Sequence, residues 1–147
     1  MKDFESVDQV LDFAIAREVE AYDLYVQWAG HVKKSRIRNI LNDLAQEELD
    51  HKAKLEDVKA GQMKIGLEEV GNLDIADKIE DVSFQPEMNY TELLILAMKK
   101  EDKSVKLYTK LAAASHQPQL RDIFLKLARE EMQHKLRFEV EYDLTTF

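Results

Sequence analysis

Glu48 and His51 stand three residues apart, and Glu131 and His134 repeat the spacing. Two further carboxylates, Glu18 and Glu101, are separated by the same 83 residues that separate those two pairs. In a helix, Glu-x-x-His places both side chains on one face, about one turn apart. Mixed carboxylate and imidazole donors suit Fe, Mn or Zn better than Ca or Mg. Four ionised Glu and two neutral His together carry a charge of −4, which two divalent cations neutralise. The chemistry implied is that of a dinuclear metal site with the six ligands Glu18, Glu48, His51, Glu101, Glu131 and His134.

Each of these residues interrupts an apolar seam that steps alternately by three and four. The first seam runs Phe4, Val7, Leu11, Ala14, Glu18, Ala21, Tyr25, Trp28 and Val32. The second runs Ile37, Leu41, Leu44, Glu48, His51, Leu55 and Val58, and the third Tyr90, Leu94, Ala97, Glu101, Ser104, Tyr108 and Leu111. The fourth runs Leu120, Phe124, Leu127, Glu131, His134 and Phe138. Burying four carboxylates together costs several kcal/mol per ion unless protons or cations compensate. Tyr25 and Tyr108 lie seven residues after a seam Glu, on the same face, where a hydroxyl can donate to a ligand carboxylate. Glu47 and Glu130 adjoin the ligands but point off the seam and read as surface charges, with cation entry as the functional alternative. His31 and His116 have no counterparts and read as exposed, Trp28 as core or subunit interface, Met98 and Met132 as packing.

The spacing predicts helices over 6–33, 36–60, 90–115 and 118–143. Ser6 with Gln9 and Asn89 with Glu92 have the capping-box pattern, again 83 apart, and Pro118 suits the first turn of the last helix. The chain therefore reads as one domain over 1–147, a duplicated helical hairpin with halves 4–60 and 88–143. Residues 61–87, with Gly61, Gly66, Gly71 and Pro86 and a short helix near 73–81, form the crossover of an all-α four-helix bundle.

Composition narrows the function classes. The chain of 147 residues is long enough to bury a core unaided, and 4 Gly with 2 Pro give little turn chemistry for an all-β fold. A net charge of −8 argues against nucleic acid as partner. With no Cys, thiolate zinc sites, iron–sulfur clusters and disulfides are excluded. No apolar stretch is long enough to predict a membrane span, the first residues lack the pattern of a signal peptide, and the expected compartment is the cytoplasm.

The segments AIAREVEAYDLY, LAQEELDH, AMKKEDKSVKLY and LAREEMQH resemble the rubrerythrin branch of the ferritin-like family across the helical body of the chain. The resemblance implies a ferritin-like bundle holding two Fe ions, with Glu18 and Glu101 as terminal ligands, Glu48 and Glu131 as bridges, and one His per metal. It implies reduction of hydrogen peroxide or oxygen as Fe(II) is oxidised to Fe(III). Two departures stand out. Rubrerythrins usually carry a four-Cys rubredoxin domain, so an external electron donor such as a separate rubredoxin is expected here. They also tend to have an additional Glu three residues after the third-helix ligand, where this chain has Ser104, with Ala21 as its counterpart. The remaining six-ligand set is like that of bacterioferritin, but only 13 residues follow His134, which disfavours a storage cage. The rival readings are a ferroxidase that hands iron on, and a helical scaffold with a vestigial site. A homodimer is expected through a flank of the first helix bearing Tyr22, Leu24 and Trp28.

Overall fold

Asn89 starts a helix by a complete capping box: its side chain accepts from the Glu92 backbone N–H at 2.8 Å, and its own N–H donates to the Glu92 carboxylate at 3.0 Å. The computed structural model describes residues 7–61, 85 and 87–146, and these hold four helices. They are α1 (Val7–Ala29), α2 (Ser35–Lys59), α3 (Tyr90–Ala114) and α4 (Pro118–Thr146). The proposed cap at Ser6 and the proposed short helix near 73–81 lie outside the described residues.

Two boundaries differ from expectation. The first helix stops at Ala29, not at residue 33. Gly30, a poor helix former, follows directly, and His31 closes the turn by donating its N–H to the Trp28 carbonyl. The last helix continues to Thr146, past the expected end at 143. At the far end of α2, Gly61 takes a φ of 84° beyond the Ala60 cap, a left-handed position that favours glycine.

α1 packs along α2, α3 along α4, and α1 also touches α3. The interior falls into two apolar layers. The first joins Val10, Leu11 and Ala14 to Leu55, Val58, Leu107, Leu111, Leu120 and Phe124. The second joins Leu24, Tyr25 and Trp28 to Leu41, Leu44, Leu94, Ala97 and Phe138. α1 and α4 therefore run from the first layer to the second, while α2 and α3 run the opposite way. α2 ends at one end of the bundle and α3 begins at the other, the arrangement expected of a long crossover.

The flank expected to drive dimerisation is internal. Leu24 and Trp28 are 3% and 1% exposed within their own chain, and Tyr22 packs partly buried against the second layer. Trp28 is core. Met98 packs as expected, but Met132 is exposed. The exposed large apolar residues are concentrated on α4, at Leu125, Met132, Leu136, Val140 and Leu144.

Candidate metal centre

Between the two apolar layers lies a belt of buried charge. Glu18, Glu48, Glu101 and Glu131 are at most 1% exposed, and His51 and His134 are 4% and 3% exposed. One helix turn separates each Glu-x-x-His pair, so α2 and α4 each contribute two of these side chains, and α1 and α3 contribute one. All six residues singled out from spacing are brought together.

They fall into two overlapping groups of potential ligand atoms. Glu18, Glu48, His51 and Glu131 form one, and Glu101, Glu48, His134 and Glu131 the other. Glu48 and Glu131 belong to both. His51 Nδ1 lies 3.1 Å from Glu131, 3.3 Å from Glu48 and 3.5 Å from Glu18. His134 Nδ1 lies 3.5 Å from Glu48, Glu101 and Glu131 alike. The two imidazoles are parallel within 11°, with centroids 6.1 Å apart. Donors about 2.1 Å from a common metal at right angles sit about 3 Å apart, so these separations fit ligands converging on a cation.

Hydrogen bonding divides the four carboxylates into two kinds. The Tyr108 hydroxyl donates to Glu18 Oε1, and the Tyr25 hydroxyl donates to Glu101 Oε1. Each of these carboxylates keeps one buried oxygen, Oε2, without a partner. On Glu48 and Glu131 both oxygens are buried and accept no well-formed hydrogen bond, although His51 Nδ1 stands 3.1 Å from Glu131 Oε1 and 3.3 Å from Glu48 Oε1. Buried polar atoms are seldom left this way. One open oxygen on an outer carboxylate and two on a shared carboxylate fit a terminal and a bridging ligand respectively. Each tyrosine thus reaches from its own hairpin to a carboxylate of the other.

The same packing sets the protonation equilibria. Burial, followed by repulsion from Glu101 and the other carboxylates, pushes Glu48 and Glu131 well above the usual carboxylate range. Burial opposes the charge on His51, but Glu131 and Glu18 outweigh it and hold its pKa up at about 11. His134 is raised as well, burial again opposing the attraction of Glu101. Burial and their carboxylate partners raise Tyr25 and Tyr108 well above the ordinary phenol value.

Two residues read from sequence as surface charges are partly exposed, and each also faces an imidazole of the cluster. Glu130 Oε1 lies 3.3 Å from His51 Nε2, and Glu47 Oε1 lies 3.5 Å from His134 Nε2. Each carboxylate faces the imidazole nitrogen turned away from the cluster, across the α2–α4 boundary. A carboxylate there selects the tautomer whose Nδ1 lone pair faces a metal. The signal was present in sequence: both immediately precede a shared Glu. Glu47, Asp50, His51, Lys54 and Glu130 line a surface pocket of about 310 Å³ that leads to the His51 ring. His31 and His116 are exposed and lie apart from the site.

A Rubrerythrin family model matches residues 9–142, nearly the whole helical body. The chain belongs to the Rubrerythrin family. Among solved structures, the fold resembles a protein of Pyrococcus furiosus with no stated function, at 23% identity and a TM-score of 0.75 over 95% of this chain and 90% of that one. A Thermotoga maritima protein described as ferritin-like diiron-carboxylate is 18% identical, with a TM-score of 0.77 over 99% of this chain and 100% of its own. The manganese catalase KatB of Anabaena is 16% identical, with a TM-score of 0.67 over 98% of this chain and 75% of its own. No curated protein sequence matches. The four-helix bundle expected from the seams, and the ferritin-like fold that the resemblance implied, are thereby established. Ser104 and Ala21, at the position where rubrerythrins tend to carry a further Glu, are both buried here. No helix among the described residues is long and apolar enough to cross a membrane.

Proposed function

We propose that this chain is a di-iron oxidoreductase that reduces hydrogen peroxide or dioxygen. The observation that carries the reading is the pattern of open oxygens: both on Glu48 and Glu131, one each on Glu18 and Glu101. A scaffold with a lost site has no reason to keep four buried carboxylates, since replacing them with apolar residues relieves the desolvation penalty. Family membership supports the same class of chemistry.

In this reading Glu18, Glu48, His51 and Glu131 hold one metal and Glu101, Glu48, His134 and Glu131 the other. Two bound iron ions would supply two electrons to the oxidant in passing from Fe(II) to Fe(III). The protein residues do the rest. Tyr25 and Tyr108 pin one oxygen of Glu101 and Glu18, so each presents its other oxygen to the metal. Glu130 and Glu47 orient the imidazoles. The apolar layers on either side exclude water from the bundle axis, and the pocket beside Glu130 and Glu47 admits small solutes laterally. Mn or Zn fits the same donors, and metal availability decides between them.

The test is anaerobic loading of metal-free protein with Fe(II), iron counting after desalting, and stopped-flow oxidation by peroxide and by dioxygen. About two irons per chain are expected from the ligand count, with faster oxidation by peroxide. No acceleration by peroxide removes the peroxidase reading, and many irons per chain in a large assembly shifts the function to ferroxidase. We further propose a cytoplasmic homodimer that draws electrons from a separate donor. The exposed apolar residues of α4 supply its interface, and light scattering on the purified protein tests it.

A further inference from the structure

The proposed reaction uses the Tyr25 hydroxyl to hold Glu101 but makes no use of the ring contacts of the second apolar layer or of its other aromatic residues. There the Tyr25 ring lies 5.6 Å from Phe138, Phe138 stacks on Trp28 at 5.8 Å, and Trp28 meets Tyr90 at 5.9 Å. These centroid separations are those of aromatic rings in contact. Both ends of the column hold a carboxylate. The Tyr25 hydroxyl donates to Glu101, and the Tyr90 hydroxyl donates to Glu141 at 3.3 Å. Between them Trp28 is 1% exposed, and its indole N–H has no acceptor. Tyr90 lines a surface pocket of about 520 Å³ with Lys33, Lys34, Arg36 and Glu141, and the Arg36 guanidinium donates to both oxygens of Glu141 at 2.9 and 3.0 Å. Glu141 offsets Arg36, and Lys33 and Lys34 leave this pocket positive in a chain of net charge −8.

Tyr108 stacks on Phe124 at 6.5 Å. The residues 83 positions from Trp28 and Phe138 are Leu111 and Leu55.

We propose that Tyr25, Phe138, Trp28 and Tyr90 form a one-electron route from the basic pocket to the metal centre, and that an anionic one-electron reductant docks in that pocket. The proposal rests on the reading of the centre as one that reduces dioxygen. Dioxygen needs four electrons and four protons to become two water molecules, and two Fe(II) ions supply two of the electrons. The other two arrive singly along the column. Tyr25 gives an electron to the oxidant at the centre and recovers one from Trp28, with its phenolic proton kept within the hydrogen bond to Glu101. Trp28, with no acceptor for its N–H, passes an electron and keeps its proton. It is restored by Tyr90, whose proton moves to Glu141 and returns when the reductant restores Tyr90. Phe138 is not oxidised and supplies ring contact. Each electron delivered oxidises one reductant, the protons of water come from solvent, and every residue ends as it began.

The test mixes the Fe(II)-loaded protein with dioxygen, with ferrocyanide as the reductant. Samples frozen without ferrocyanide are read by electron paramagnetic resonance. An organic radical of tyrosyl or tryptophanyl type is expected without ferrocyanide. With it, the radical is lost and two ferricyanides form per dioxygen. In Trp28→Phe and Tyr90→Phe, Fe(II) is still oxidised but ferricyanide formation is lost. Tyr90→Phe removes only a hydroxyl from a half-buried ring, so it carries the test if Trp28→Phe fails to fold. Lys33→Glu with Lys34→Glu weakens ferrocyanide binding to the metal-free protein, measured by calorimetry. Ferricyanide at the parental yield in both aromatic variants overturns the route, and unchanged binding in the lysine variant overturns the docking site. Without ferrocyanide, failure of dioxygen alone to oxidise Fe(II) overturns the route, and failure of both dioxygen and peroxide overturns the functional reading and the route with it.

Discussion

The charged belt and the apolar layers beside it come from the same duplicated chain, but they have diverged to very different degrees. In the belt every residue has its twin: Glu18 and Glu101, Glu48 and Glu131, His51 and His134, and outside them Tyr25 and Tyr108, Glu47 and Glu130. The contacts are twinned too, each tyrosine and each outer carboxylate reaching across to the other hairpin. In the layers, Trp28 faces Leu111 in the repeat, Phe138 faces Leu55, and Phe124 faces Leu41. Apolar packing needs volume and tolerates exchange of shape between neighbours. A site for cations needs particular donor atoms at particular positions, and no neighbour can compensate for losing one.

The sharpest way to break this comparison is to remove a shared ligand. Glu48→Ala takes a bridging carboxylate from both groups, and so does Glu131→Ala. Both variants are expected to retain essentially no iron after desalting, against about two per chain in the parent by ligand count. Glu18→Ala touches one group only and is expected to retain iron in the other. Equal loss in Glu18→Ala and Glu48→Ala contradicts the division into shared and terminal carboxylates.

Next in size are the outer carboxylates. Removing a carboxylate that orients a ligand imidazole typically costs about 10- to 100-fold in metal affinity. Glu130 is nearer its imidazole than Glu47, 3.3 against 3.5 Å, and less exposed, 32% against 43%. Glu130→Gln is therefore expected to weaken Fe(II) binding more than Glu47→Gln. Competition with a colorimetric chelator measures both. Affinities unchanged in both variants return these residues to the solvated surface where sequence alone had placed them.

Their approach to the imidazoles shows where the sequence stopped being informative. The six clustered Glu and His were legible because each breaks an apolar seam, and a buried charge needs an explanation that an exposed one does not. Glu47 and Glu130 sit one residue off the seam, where a charge is ordinary, and only the crossing of α2 over α4 brings them to an imidazole. The open oxygens were out of reach as well, since spacing locates a carboxylate but not its hydrogen bonds. The end of α1 was missed for a local reason: Val32 continues the seam past Gly30 and packs against the second layer, though the helix has already ended. The aromatic column joins the α1 residues Tyr25 and Trp28 to Phe138 from α4 and Tyr90 from α3, so no single helix displays it.

The tyrosines test the symmetry of the belt itself. Tyr25→Phe leaves an oxygen of Glu101 without its donor, and Tyr108→Phe does the same to Glu18. Leaving a buried acceptor unpaired costs about 1–3 kcal/mol. Similar losses in the two variants are expected in denaturant unfolding of the metal-free protein. A difference larger than that range would show that the halves of the belt are not equivalent.

Acidity provides a smaller but cleaner contrast. In the metal-free protein Glu48 and Glu131 titrate above their unfolded values, so their ionisation destabilises the fold as pH rises from the ordinary carboxylate range. His51 is raised from 6.5 to about 11, so its stabilising contribution is complete below 6.5 and fades as pH climbs toward 11. Both effects have the same sign, and the metal-free Tm is expected to fall between mildly acidic and alkaline pH. Metal binding displaces protons and strengthens as pH rises, so the iron-loaded protein is expected to gain on the metal-free one over that interval. Parallel Tm curves with and without metal would mean that the belt does not titrate with the cation.

The smallest effect compares the two helix starts at the second layer. α3 begins on Asn89 with both capping-box hydrogen bonds, whereas α2 begins on Lys34, an extended residue whose side chain makes no cap. Asn89→Ala is expected to cost about 1 kcal/mol, the usual value of an N-cap. Lys34→Ser places a capping hydroxyl on a backbone already extended at φ −76° and ψ 121°, and is expected to add a few tenths of a kcal/mol up to about 1. The gain is smaller because packing of Ile37 and Leu41 into the second layer already holds α2 in place. If Lys34→Ser stabilises as much as Asn89→Ala destabilises, the start of α2 is held by its cap and not by the core beneath it. The same variant lowers the positive charge of the pocket at Tyr90, so it is also expected to weaken ferrocyanide binding, an effect to which Asn89→Ala is blind.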